Sequence, residues 1–474
     1  MSIFSDLLAR HIKNKEIRTF SLAQYCEIDR SNMYKLINGK RNPASEHMVQ
    51  RMSEYMKLTN SERKEFMEAY QISMIGSDVY YRRKNVQKFL DYFQEQKNFY
   101  PSRNLFLPEY KPLQEQAPIF IADKNELRNA IHMIISLAGK SDGEIKMVLQ
   151  PENPIVTELI CHTQGGYLIE HIFCLNNSRG TEKEGDYNLT ALRNMIPLYY
   201  QDYCKYTPYF YYDDITAREN MFHLFHSMIV TTDYVLIFSE ELRQGVWFSQ
   251  KEMAKNFKSL FEQLKKEAQP IVEQIQNVED QINYFNAADF GKSKGFEFQQ
   301  QPCFMPLTPV EFVDKYLVEE LPNREEFLKA TEDYLRMFQD CIEKEKWSWT
   351  VMFTKEGLED FLKTGEYYEL PKEIYRKPDR EDKIILIKNL IMACQAGYYK
   401  MLRPESSIAK CKINLYTTNK KGCLMFKTAE NQMLWLTMGE HGILHAFNDY
   451  LASLDEKNFY PLEETLEILR EIDL

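Results

Sequence analysis

Arg30, Ser31, Asn32, Tyr34 and Lys35 fall within six consecutive positions, and their side chains carry the donors and acceptors that read nucleic-acid base edges. Arg30, Asn32 and Lys35 have the geometry to bond base edges in a major groove, while Ser31 and Tyr34 can donate to phosphate or touch a thymine methyl. Thr19, Lys40 and Arg41 flank them as candidate phosphate contacts, the sequence-independent part of such an interface. A second stretch, Tyr206–Asp214, is the densest in aromatic residues. Tyr209 and Tyr211, alternating along a strand that ends in Asp213 and Asp214, could line an effector pocket for an aromatic or cationic ligand. A packed strand ending in a polar turn accounts for the same pattern.

Other chemistry is poorly served. His441 and His445 lie four apart and His223 and His226 three apart, but zinc asks for three or four ligands, and neither pair has a Cys or third His nearby. They read as capping or packed histidines, with no metal site expected. Gly139-Lys140-Ser141 lacks the glycine that a phosphate-binding loop would need at Ile134, and no GxGxxG, GxSxG or HExxH is present. The expectation is no catalytic residue, no cofactor and no enzymatic activity. The nine cysteines are scattered and never spaced CxxC, which fits buried reduced thiols.

The elements that would position the base-reading residues follow from local pattern. Ile3, Leu7, Leu8 and Ile12 recur at helical spacing, predicting a helix over 3–14. Thr19 is the expected N-cap of a second, short helix whose inward residues are Phe20, Leu22, Ala23 and Cys26. Glu27-Ile28 makes the turn and Asp29 caps a third helix with Met33, Leu36 and Ile37 inward. Asn38-Gly39 stops it. Ser45 caps a fourth helix carrying Met48, Met52, Tyr55 and Met56, and a fifth opens at Asn60 or Ser61 and runs to about Gln71.

Residues 22–43, with small Ala23, capped Asp29-Arg30-Ser31, apolar Met33 and Leu36, and the tail Asn38-Gly39-Lys40-Arg41-x-Pro43, resemble the Cro and phage-repressor helix-turn-helix, the XRE family. Two positions depart from it: Glu27 stands where Gly is usual, and Ile37 where Glu is usual. The resemblance is confined to about residues 1–75 and implies a five-helix domain binding a double-stranded DNA operator.

Beyond it, Tyr80-Tyr81-Arg82-Arg83-Lys84 opens a helix carrying Val86, Phe89, Leu90 and Phe93, followed by prolines 101, 108, 112 and 118. Residues 76–118 therefore read as a linking helix and connector. From 119 onward helix and strand patterns alternate: strands at 119–121, 145–150, 169–175, 208–212, 227–231 and 233–238, with helices at 124–138, 154–162, 188–199 and 249–267. Gly291, Gly295 and Pro302 suggest a boundary across 284–306. Helices at 309–319, 323–343, 381–398, 440–453 and 462–471 follow, with strands at 347–353, 411–416, 421–426 and 432–436. The expected fold class is an all-α head on a mixed α/β or α+β body, as an α/β regulatory domain (119–290) and an α+β C-terminal domain (291–474). Asp123–Ala138 and Asp379–Cys394 echo each other as acidic starts to Ile-rich helices. Amphipathic helices share such features without common origin, so no duplication is assigned.

The net charge of −11 divides unevenly, residues 1–100 holding 17 basic and 12 acidic residues, a surplus of +5 that leaves −16 for the rest. A mildly basic head on an acidic body suits a DNA-binding module fused to a sensing or oligomerising region. No stretch has the make-up of a signal peptide or membrane span, so a cytoplasmic location is expected. The combined expectation is a sequence-specific transcriptional regulator, working as a homodimer, with an unidentified small-molecule or peptide effector. The alternatives are an enzyme or toxin-system component carrying the head for autoregulation, and a scaffold whose helix-turn-helix does not bind DNA.

Overall fold

The computed structural model describes residues 2–95, 117–153, 166–176, 186–200, 204–213, 225–239, 241–275, 277–286, 294–344, 347–428 and 433–472. They form two compact units, a head through Asn85 and a body from Val86. The chain is thus multidomain, a helical N-terminal region followed by two mixed sheets with their helices. Among the described residues no helix is long and apolar enough to cross a membrane.

The head is built from α1 (Ile3–Asn14), α2 (Thr19–Tyr25), α3 (Arg30–Ile37), α4 (Glu46–Tyr55) and α5 (Asn60–Ile75). Four of the five starts are capped by a side chain, which satisfies backbone N–H groups a helix cannot use itself. Ser2 accepts from Ser5 N at 3.2 Å, Asp29 from Asn32 N at 2.8 Å and Ser45 from Met48 N at 3.2 Å. Thr59 and Glu62 form a reciprocal capping box. α2 is the exception. The expected cap, Thr19, is its first helical residue, and Arg18 holds the cap position without a side-chain bond. Phe4, Leu8, Leu22, Met33, Val49, Met52 and Phe66 close the core. Phe20, expected inward, is 62% exposed. Leu22, Ala23 and Cys26 define the buried stripe, and Phe20 lies two residues before it, about 200° round the helix. α5 continues past Gln71 to Ile75 and stops at Gly76, whose φ of 87° suits glycine.

α6 (Ser77–Tyr92) is the expected linking helix, but the division between units falls inside it. Val86, Phe89, Leu90 and Phe93 belong to the body's core.

The body's first sheet contains β1 (Ile119–Ile121), β2 (Glu144–Val148), β3 (Tyr167–Asn176), β4 (Cys204–Asp213), β5 (Ser227–Val230), β6 (Val235–Phe238), β7 (Gly245–Phe248) and β8 (Gln269–Pro270). Its helices are α7 (Lys124–Gly139), α8 (Tyr187–Tyr199) and α9 (Lys251–Lys265). The order is β1-β7-β6-β5-β2-β3-β4-β8, with β2, β3 and β4 parallel and the other neighbours antiparallel. The second sheet contains β9 (Val272–Gln274), β10 (Gly295–Phe298), β11 (Trp349–Thr354), β12 (Tyr399–Leu402), β13 (Asn414–Thr418), β14 (Gly422–Lys427) and β15 (Met433–Met438). Its helices are α10 (Val278–Asn286), α11 (Glu311–Tyr316), α12 (Arg324–Glu343), α13 (Lys355–Thr364), α14 (Arg380–Gln395) and α15 (His441–Ala452), and α16 (Leu462–Arg470) closes the described chain.

The two sheets are the same object twice. Reversed, the second order is β9-β15-β14-β13-β10-β11-β12, strand for strand the first without β8, with each pair keeping its parallel or antiparallel sense. The hairpin turns agree in atomic detail. Thr231 accepts from Tyr234 N at 3.2 Å while its backbone N donates to Tyr234 O, and Thr418 does the same with Lys421, its hydroxyl accepting at 2.9 Å. Shortly past each edge strand, Asp123 caps α7 and Asn277 caps α10, each from its side chain. The body is therefore a duplication, but not with the pairing of the sequence echo. α7 corresponds to α10 and the Asp379-capped α14 to α8, because each helix precedes the matching strand.

Several expected elements move for identifiable reasons. The boundary expected across 284–306 contains β10, an interior strand of the second sheet; its Gly295 is dictated by packing, since a Cβ there would stand 2.4 Å from the Trp349 ring. The sheets change over at Ile271, between β8 and β9, rather than near 290. The helix expected over 381–398 ends at Gln395, where Gly397 takes φ 80° and the chain turns into β12. β7, β8, β9, β12, α10 and α13 have no counterpart among the expected elements; the helix expected over 154–162 lies outside the described residues.

Candidate nucleic-acid interface

α2 and α3 meet through a tight turn in which Glu27 takes φ 55°. Only glycine adopts that conformation without penalty. Arg51, from α4, accompanies the turn: its Nη1 stands 2.9 Å from Glu27 Oε1, and its Nη2 donates to the Tyr25 carbonyl. The guanidinium also lies over the Tyr25 ring, 5.3 Å from its centre. Ile28 packs against the core from this turn. Beyond it Asp29, in extended backbone, fixes the first turn of α3.

Met33 and Leu36 bury the inner face of α3, with Ile37 half-buried. The opposite face presents Arg30, Ser31, Tyr34 and Lys35, all exposed. Arg30 and Tyr34 are one turn apart and touch, Nη2 donating to the phenol oxygen at 3.5 Å with the guanidinium 5.5 Å from the ring centre. Asn32 is half-buried and engaged on both sides. Its Nδ2 donates to Asp29 Oδ2, and its Oδ1 accepts from Arg41 Nη1 at 3.2 Å. The carboxamide thus links the helix cap to the loop past its C-terminus, and the local sequence does not announce that pairing. Gly39 ends α3 at φ 67°, and Lys40 and Arg41 follow, both exposed. Thr19 is half-buried at the start of α2.

The expected effector residues are not gathered in this way. Tyr209 and Tyr211 pack against the small core of Ile172, Met228, Val230, Ala254 and Phe261. Lys265 Nζ already sits 4.8 Å from the centre of the Tyr209 ring and bonds Glu170. Asp213 is half-buried at the strand end, and Asp214 lies outside the described residues. Of the described residues among these, Tyr209, Tyr211 and Asp213 do not line the cavity that lies inside the second repeat. His441 and His445 are exposed on α15, and His223 lies outside the described residues.

No protein family and no curated protein matches the chain. Among solved structures the chain is similar to TrmBL2, described as an archaeal chromatin protein that shows a novel mode of DNA binding, at 11% identity across 51% of this chain and 84% of that one, with a TM-score of 0.22. It is also similar to the phosphatidylserine synthase of Haemophilus influenzae Rd KW20, at 12% identity across 79% of this chain and 95% of that one, again with a TM-score of 0.22. Likenesses this distant carry no argument about function.

Proposed function

We infer that the protein is a sequence-specific DNA-binding transcriptional regulator of the XRE type, acting in the cytoplasm as a homodimer, with the duplicated body as its regulatory part and no catalysis of its own. The observation that carries the reading is the outward face of α3. Arg30, Ser31, Tyr34 and Lys35 stand exposed on a helix whose start is capped by Asp29 and whose exit loop holds Lys40 and Arg41. A recognition helix needs that arrangement: donors toward the groove, apolar residues behind, cations at the phosphate-facing end. Two heads on half-sites about one helical turn apart would supply the affinity that one lacks.

Selection of genomic fragments by the full-length protein tests this. Recovery of a common inverted-repeat site, bound with an affinity that falls as salt rises, is the expected result. Absence of any salt-sensitive DNA binding overturns the reading.

A further inference from the structure

A cavity of about 100 Å³ lies inside the second repeat, walled by Phe312, Tyr334, Tyr367, Tyr416 and Trp435. Gln281, Glu297, Gln299, Cys303 and Glu369 also line it. The carboxylates of Glu297 and Glu369 and the Cys303 thiol approach within 4.8 Å of one another. Gln299 Nε2 donates to Oε1 of both carboxylates, at 2.7 Å to Glu369, and Gln281 Nε2 holds the Glu369 carbonyl at 3.0 Å. No Lys, Arg or His is among the described residues lining the space. Two acids so close in a poorly solvated site cannot both ionise without a countercharge. Burial, reinforced by Glu369, pushes Glu297 up to about 8.

The duplication shows that the fold does not require this chemistry. By strand register Glu297 corresponds to Met147, Gln299 to Leu149 and Tyr416 to Ile229, and the capped helices match Gln281 with Leu127. Trp435 corresponds to Gly245, and Leu127 closes the space there, its Cδ1 2.8 Å from where a Cβ on that glycine would stand. One repeat is filled with apolar side chains at the positions where the other is hollow and acidic. At these positions the same backbone plan carries apolar side chains in one repeat and polar groups around a cavity in the other.

We propose that this cavity binds a small organic cation, a protonated amine on an aromatic or aliphatic body, with its charge between Glu297 and Glu369 and its body against the aromatic walls. The volume has room for on the order of seven to ten water-sized groups. Aromatic faces favour a cation beside them as well as apolar surface. A bare metal ion fits less well, because Gln299 already occupies one oxygen of each carboxylate and the walls would have nothing to cover. The proposal concerns the body alone and does not depend on DNA binding by the head.

The test is titration of the full-length protein with 2-phenylethylamine, followed by tryptophan emission and by calorimetry, beside the uncharged 2-phenylethanol and, separately, zinc and manganese chlorides. Saturable binding of the amine at least tenfold tighter than the alcohol, weakened at least tenfold in Glu297→Gln and in Glu369→Gln, supports the site. The amine–alcohol comparison needs no variant, so a misfolded mutant leaves it decisive. Equal binding of amine and alcohol, tighter binding of either metal with loss in Glu297→Gln, or no saturable binding of the amine overturns it.

Discussion

At the scale of single residues, the proposed interface makes separable demands on Arg30, Asn32 and the Lys40-Arg41 pair. Arg30→Ala should cost about 1–3 kcal/mol at the preferred site and little on random DNA; equal losses on both, measured by fluorescence anisotropy, would refute a base-reading role. Lys40→Ala and Arg41→Ala should weaken binding to all sequences and lower the salt slope by about one ion each. Arg41 has a second duty, since it bonds Asn32 at 3.2 Å. Its loss should therefore change sequence preference slightly where loss of Lys40 does not. In the body, Glu297 has its folded pKa raised to about 8 by burial and by Glu369. Its neutral form is the one the fold favours, so this contribution to stability is full below the ordinary carboxylate range near 4.5 and is lost as pH rises through about 8. The groups facing it are Glu369, Cys303, Gln299, Tyr334, Tyr399 and Tyr416; of these Glu369 is also raised, and the thiol and phenols stay protonated through that window. Thermal melts of wild type and Glu297→Gln should diverge between pH 5 and 8, the wild type losing ground as pH rises. Parallel curves would show that Glu297 ionises freely.

At the scale of elements, the short helices of the head depend on caps and on a few buried side chains. Met33 is fully buried and Leu36 nearly so on an eight-residue helix. That length does not sustain itself in water, so packing holds α3. Met33→Ala should destabilise the head by about 2–5 kcal/mol, and Asp29→Ala by about 1 kcal/mol through loss of the cap. Urea titration of both variants checks the order; a larger loss from Asp29 than from Met33 would contradict it. The α2–α3 turn works the other way. With Glu27 at φ 55°, Glu27→Gly removes backbone strain of about 1 kcal/mol at the expense of an exposed contact with Arg51. The head should melt no lower in this variant, and a lower melting temperature would show that the Arg51 contact outweighs the strain.

At the scale of the whole molecule, the two repeats share one apolar core. Ile131 and Ile145 of the first belong with Leu415, Leu424 and Phe447 of the second, and Phe89 and Phe447 stack edge to face at 5.4 Å between centres. Tyr212 of the first sheet bonds Glu440, the residue that caps α15. The body should therefore unfold as one cooperative unit and the head as another. In calorimetry the head's transition should carry on the order of 60 kcal/mol, from roughly 0.7 kcal/mol per residue. Two separate body transitions would show that the repeats are independent domains.

The sequence by itself determined most of the head: every helix start but that of α2, the Asp29 cap, the Gly39 stop and the inward Met33 and Leu36 all rest on interactions within a few residues, which local pattern records. Phe20 escaped it because one short helix offers two apolar faces and only neighbouring helices choose between them. It also indicated most body elements, since amphipathic period survives in isolation. The tertiary structure alone decided how they join. Ile119 pairs with Trp247 and Val272 with Met438, and no local signal specifies a partner so distant along the chain. The duplication was hidden for that reason: it shows in strand register and in turns such as Thr231 and Thr418, while the side chains at matching positions differ. The acidic cavity was hidden likewise, because Gln281, Glu297 and Glu369 come from a helix, a strand and a loop that only folding brings together.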